Sequence, residues 1–148
     1  MITLKEVDET TLEACASLTC KPEQRQFTNS PVWSLLETAY TPLKNHSKLY
    51  AVCSDTAVVG MVRLDYTLHP DCYEFTNLLI DEKYQRRHYA AEAVAVILEL
   101  FRKERRHDTV RIFAAPENAA ALELYRKAGF LDLGKTKDGV FRILEYKL

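Results

Sequence analysis

The stretch "IDEKYQRRHYAAEAVAVILELF", residues 80–101, passes from apolar residues through a basic cluster directly into a helical pattern. Such a junction can hold an anion. The first N–H groups of a helix have no intrahelical partner and face outward, and the helix dipole adds partial positive charge at the same end. Gln85, Arg86, Arg87, His88, Tyr89 and Ala90 stand at this junction. Phosphate loops usually carry glycines here, and this stretch has none. Arg86 and Arg87 would assist as partly exposed cations by roughly 1 kcal/mol or less each when screened.

Several elements must position this junction. Residues 2–7 alternate as a half-buried strand, and Asp8 can cap a helix running to about residue 18. Ser30 as N-cap and Pro31 at the first helical position predict a second helix after a polar, irregular crossing. Strands follow at 49–54 and 58–66, joined by a short turn, and a third at 72–80, giving an antiparallel meander. From 89 to 106 the apolar residues recur at helical spacing, with basic residues in the last turn. A strand at 109–115 precedes a helix that Asn118 can cap and Gly129 can stop. Two closing strands, 131–135 and 140–147, flank a turn at 137–139. The order β-α-α-β-β-β-α-β-α-β-β predicts an α/β fold of the α+β kind, with a mixed sheet, as a single domain over residues 1–148.

Composition narrows the function. Twenty basic against twenty-one acidic residues leave a net charge of −1, so no global field draws the chain to nucleic acid or to an anionic membrane. No stretch approaches the roughly 18 consecutive apolar residues of a membrane span. The first residues hold acidic side chains and no uninterrupted apolar run, which argues against a signal peptide and predicts a cytoplasmic protein. Cys15, Cys20, Cys53 and Cys72 form no C-x-x-C pair and have no histidine at zinc-finger spacing, so free thiols and no metal are expected.

Two segments resemble the GNAT superfamily of acyl-CoA-dependent N-acetyltransferases. "IDEKYQRRHYA" resembles its Q/R-x-x-G-x-G/A pyrophosphate loop, with His88 at the first glycine and Ala90 at the second. If the resemblance requires a positive φ at His88, the strain is on the order of 1–2 kcal/mol, although histidine is among the types enriched in that region. "ENAAALELYRKAGF" resembles its N-x-x-A-x-x-L-Y-x-x-x-G-F segment and is the more specific of the two. With "PEQRQFTNSPVWSLLETAY" and "DGVFRILEYKL", the chain is similar to the bacterial branch that includes diamine and polyamine acetyltransferases.

The resemblance implies acetyl-CoA as cofactor, a small-molecule amine as acceptor and, by analogy, a homodimer. It implies that the amides of residues 85–90 hold the CoA pyrophosphate and that Asn118 bonds the pantetheine arm. The backbone of Leu78, Leu79 and Ile80 would pair with that arm and polarise the thioester carbonyl. Tyr125 matches the tyrosine that serves many GNAT enzymes as general acid; a phenol of pKa near ~10 is protonated at neutral pH and can donate to a departing thiolate. Its competing role is that of a core aromatic, three residues from Leu122. Glu74 falls where histone-type members carry a glutamate base, and Thr76 where eukaryotic polyamine enzymes do; a solvated strand-end carboxylate is the competing reading for Glu74. Acceptor recognition is expected from Phe27, Asn29, Trp33 and Glu37 of the crossing and second helix, together with Asp65 and Thr76. The rival functions are acetylation of a protein or peptide amine, and a CoA-binding module without turnover.

Overall fold

A computed structural model describes all 148 residues. Eleven elements run in the expected order: β1 (Ile2–Glu6), α1 (Leu12–Ala16), α2 (Pro31–Tyr40), β2 (Ser47–Ser54), β3 (Ala57–Asp65), β4 (Glu74–Ile80), α3 (Tyr89–Glu104), β5 (Thr109–Ala114), α4 (Ala119–Lys127), β6 (Leu131–Lys135) and β7 (Arg142–Lys147). Three 3₁₀ turns, Pro22–Gln24, Pro42–Asn45 and Glu82–Tyr84, lie in the connections. No helix is long and apolar enough to cross a membrane.

The caps explain where helices begin. Ser30 accepts a hydrogen bond from the Trp33 amide at the start of α2, and Asn118 accepts from the Ala121 amide at the start of α4. The first helix departs from expectation. Asp8 accepts from the Thr10 amide at 2.8 Å in a local turn, so its carboxylate is not available as a helix cap. α1 therefore starts at Leu12 without a side-chain cap and ends at Ala16, two residues short of the expected stop. The third strand starts at Glu74 rather than 72, and the last at Arg142 rather than 140, because Thr136 and Phe141 close the preceding turn through a 2.8 Å backbone bond.

The strands form two antiparallel sheets, β1-β2-β3-β4 and β5-β7-β6. A single parallel bridge joins them at Tyr73 and Val110: the Tyr73 amide donates to the Thr109 carbonyl at 2.9 Å, and the Arg111 amide to the Tyr73 carbonyl at 2.8 Å. The Tyr73 ring is buried and stacks on Phe101, and its hydroxyl accepts from the amides of Arg106 and His107. Beyond this anchor β4 and β5 separate, each an edge strand of its own sheet. Along an edge, backbone N–H and C=O groups are left open to a ligand.

Two cores lie on opposite faces. One packs Val52, Val62, Phe75 and Ile80 against α3 and α4; the other packs Leu49, Ala51, Met61 and Leu79 beneath α1 and α2. A bulge in β4 sends neighbours to both. Arg63 pairs with Thr76 and Met61 with Leu79, so β4 holds one residue more than β3 over this interval, and Asn77 takes it up with φ 54°. Phe75 and Ile80 thereby share one face despite their odd spacing. At Gly60, opposite Ile80, a Cβ atom would stand 2.3 Å from the Leu79 carbonyl oxygen, so only glycine allows this approach of β3 to β4.

Candidate active site

The widening between β4 and β5 opens a cleft of about 1240 Å³, walled by both strands, the start of α3 and the inner side of α4. Its basic end is the loop before α3. Asp81, buried, accepts from the amides of Thr19 and Lys83 at 3.0 and 2.9 Å. The Gln85 side chain donates to the Ile80 carbonyl at 2.9 Å and to the Gln24 side chain at 3.0 Å. These bonds fix both ends of the turn, and they commit the Gln85 side chain to the protein. Arg86 and His88 both take left-handed backbone, φ 64° and 63°. The positive φ considered for His88 is therefore present, and alternation of this kind turns successive amides toward one concavity. Ser30 and Asn118 cap their own helices, whereas His88 makes no side-chain cap bond at α3. The first amides of α3 are left for something else.

Arg86, His88, Tyr89 and Ala90 line the cleft. Arg87 does not: its guanidinium lies over the Tyr84 ring, 5.7 Å from the centroid. Leu78, Leu79 and Ile80 line the opposite wall, and Asn118 and Tyr125 face in from α4. The half-buried Tyr125 ring meets Phe75 edge-on and also contacts Phe130. Burial among these rings pushes the phenol up to about 12. Its hydroxyl has no bonding partner in the protein.

The residues expected on the acceptor side divide. Phe27 and Thr76 line the cleft. Asn29 is exposed, and its backbone amide donates to the Asn77 side chain at 3.3 Å, tying the crossing segment to the bulge. Trp33 is half exposed on α2 and does not line the cleft, so the structure does not bring it into the acceptor pocket expected of it. Asp65 is fully buried, where Arg63 binds it at 2.8 and 3.1 Å and the Ser47 hydroxyl donates to it. The same guanidinium reaches Glu37 at 3.1 Å. Both carboxylates expected to meet the amine directly are thus already occupied by Arg63. Glu74 also differs from a solvated strand-end carboxylate. It is mostly buried, accepts or shares a 2.6 Å bond with His69 Nε2, and its carboxyl is raised, chiefly by burial and against the opposing effect of His69.

The sequence profile of the Acetyltransferase (GNAT) domain matches residues 2–131. The chain belongs to this family of acetyl-CoA-dependent N-acetyltransferases. No curated protein sequence matches the chain significantly. Among solved structures, aminoglycoside acetyltransferase AAC(6')-Ib in complex with coenzyme A superposes with a TM-score of 0.80 at 16% identity, over 99% of this chain and 95% of that one. Spermidine N-acetyltransferase from Vibrio cholerae, in complex with CoA and spermine, gives 0.76 at 16% identity over the same shares. The ribosomal L7/L12 α-N-protein acetyltransferase RimL, with coenzyme A, gives 0.76 at 14% identity over 99% and 94%. At such identities the likeness carries the fold.

Several residues of this GNAT domain that shape the cleft were not singled out from sequence. Asn77 and Thr28 line it, Gly60 permits the bulge, and Arg63 and His69 hold the carboxylates beside it. Two of them left a trace: a lone glycine and a lone arginine interrupt the apolar strand "AVVGMVRLD". An isolated strand glycine marks close backbone approach, and a charge on a buried strand requires a partner. All four cysteines are free thiols; Cys20 reaches the cleft wall, and the other three are buried. No group of three or more His, Cys, Asp or Glu is placed to hold a metal ion.

Proposed function

We propose that this enzyme acetylates a primary amine of a small molecule, with diamines or polyamines as the acceptor class. The observation that carries the reading is the parting of β4 and β5 between an uncapped helix start and an unpartnered phenol. On this reading the amides of residues 86–90 take the CoA diphosphate, with Arg86 and His88 beside it, and Gln85 braces the turn. The pantetheine arm lies along the β4 edge at Leu78, Leu79 and Ile80, as an added strand would, and meets the Asn118 amide. Tyr125 then faces the sulfur.

The proton energetics define each role. A phenol near 12 is higher than a thiol of ~8.5, so complete transfer from Tyr125 to a free thiolate is uphill by about 5 kcal/mol. Tyr125 therefore acts by donating a hydrogen bond as negative charge grows on sulfur, and the proton that ends on sulfur comes from the amine nitrogen. The acceptor must first be neutral: at pH 7 an amine of pKa ~10.4 pays about 4–5 kcal/mol to expose its lone pair. Glu74 serves as the base in this scheme.

Acceptor class follows from charge. Glu37, Asp65 and Glu74 gather beside the Thr76 wall with a single guanidinium, Arg63, so this side keeps an excess of negative charge that favours a cationic ligand. Related folds bound to spermine and to kanamycin point to small polycations as probes. A peptide amine is the second reading, favoured by the exposed Val32, Trp33 and Leu36 on α2. The same proposal includes a cytoplasmic location, in keeping with four free thiols, and a homodimer through the outer face of the second sheet, where Leu131 and Leu133 are exposed. Thiol release from acetyl-CoA is to be measured with spermidine, kanamycin and lysine-containing or free N-terminal peptides. Spermidine is expected to turn over fastest. Preference for peptide would reject a small-molecule acceptor, and no release with any amine would reject the reaction itself.

A further inference from the structure

Glu74 and His69 make a contact that the acetyl-transfer scheme leaves unused. Glu74 opens β4 and shares a face with Thr76, because Asp65 pairs with Glu74 and Arg63 with Thr76 across the β3–β4 ladder. Glu74 does not itself line the cleft; two residues along a strand span about 7 Å, so it stands one side-chain repeat beyond the Thr76 wall, at a separation that water bridges. His69 sits on the loop between β3 and β4 with its Nε2 2.6 Å from Glu74 Oε1. The Glu74 side chain is 14% exposed and that of His69 is 34% exposed, so the pair leads from the interior toward solvent.

We propose that His69 is the proton exit of the acceptor site, acting through Glu74. This rests on the N-acetyltransferase reading and on Glu74 as its base. The ammonium of the acceptor gives one proton to Glu74 through intervening water. Glu74 passes it across the 2.6 Å contact to His69 Nε2, and His69 releases it to bulk water. The freed lone pair forms the new C–N bond at the thioester carbonyl and the C–S bond breaks. The second nitrogen-bound proton, lost from the adduct, balances the one that ends on sulfur. Ammonium and acetyl-CoA thus give amide, CoA thiol and one proton in solution. His69 is a positioning residue by this account, since it touches no reacting atom.

The surroundings suit a carboxylate that must be emptied after each cycle. Facing Glu74 are Asp65 and Arg63 of β3, with Glu37 of α2 behind the guanidinium; Cys72 adjoins on the chain, and Asp71 and Arg111 of β5 lie beyond it. Arg63 is already committed to Asp65 and Glu37, which leaves the imidazole as the hydrogen-bonding partner of Glu74. Burial raises the Glu74 carboxyl, easing its acceptance of a proton from an ammonium.

The test compares wild type, His69→Gln and His69→Ala by thiol release from acetyl-CoA, using whichever of spermidine, kanamycin or a lysine peptide the wild type turns over fastest, from pH 6.5 to pH 10. Glutamine keeps a hydrogen bond to Glu74 and cannot carry the proton. His69→Gln is expected to lower kcat/KM for the amine by about tenfold at pH 7, a fraction of the range a general acid–base group supplies. KM for acetyl-CoA should hold, and the deficit should close as the pH nears the amine's own pKa. Added imidazole should restore His69→Ala. Wild-type rates in His69→Gln at pH 7, or a deficit equal at every pH without rescue by imidazole, would overturn the relay while leaving the acetyltransferase standing. A wild type that releases thiol with none of the three amines overturns both.

Discussion

Replacing Tyr125 by phenylalanine tests the reaction at one oxygen atom. The ring contacts with Phe75 and Phe130 survive, and the hydroxyl has no protein partner to lose. Deleting an unpartnered, half-buried hydroxyl changes stability by less than about 1 kcal/mol. For a chain of this length that is a Tm shift within about 4 °C. CoA affinity, measured by calorimetry, should stay within about threefold, because the diphosphate and the arm are held by other groups. Turnover carries the effect. Loss of a general-acid contact is expected to lower kcat at least tenfold, or about 1.4 kcal/mol, a threshold set below the roughly 100-fold at which such groups usually begin.

The pH profile adds an independent check with a definite sign. Burial raises the Tyr125 phenol to about 12, so it stays protonated to about pH 11 and imposes no loss of rate below that. Wild-type kcat/KM should rise with pH as the amine sheds its proton and then level off near ~10.4. Tyr125→Phe should keep this shape at reduced height. Wild-type turnover in the variant would remove the phenol from the mechanism. A fall in the wild-type rate centred near 10 would instead show a phenol of ordinary acidity, contrary to its packing.

The other predictions address the framework. His88→Gly should relieve about 1–2 kcal/mol of left-handed strain and give back about 0.5–1 kcal/mol to unfolded-chain entropy, so Tm should stay level or rise by a few degrees. CoA affinity should be unchanged or tighter; weakening beyond threefold would reveal a contact between imidazole and phosphate. Gly60→Ala must force β3 from β4 to clear the 2.3 Å approach, with an expected loss of about 1–3 kcal/mol in denaturant melts and weaker CoA binding through the displaced Leu79; an unaltered melt would refute the crowding. Asp132, bound by Arg142, Arg126 and the Gly134 amide, has its carboxyl held well below the usual range. Its stabilisation is present above the unfolded value of ~3.9 and is lost as pH falls through the lower folded value. Asp132→Asn should therefore lose about 1–2 kcal/mol at pH 7 and lose less than wild type between pH 4 and pH 2, read by thermal melts; parallel acid curves would contradict this.

Local signals were legible where local bonds decide the structure. Ser30 with Pro31, and Asn118 with the later Gly129, mark helix ends because their partners lie within a few residues. Asp8 misled for the same reason, since Thr10 offered a nearer partner than the first turn of α1. The carboxylates around Arg63 resisted reading because their decisive contacts are distant in the chain. Arg63 reaches across 26 positions to Glu37, and its own strand supplies Asp65 only because both side chains share one face. Nothing in the residues 74–80 announces a bulge, for Asn77 takes a left-handed backbone at a place where glycine would have been the signal. Strict alternation along β4 would put Phe75 and Leu79 together. The added residue puts Phe75 with Ile80 instead, and leaves Glu74, Thr76 and Leu79 on the face beneath α1 and α2. One backbone torsion thus sets which side chains of β4 face α3 and α4 and which face α1 and α2, so a substitution that straightens Asn77 should disturb both faces at once.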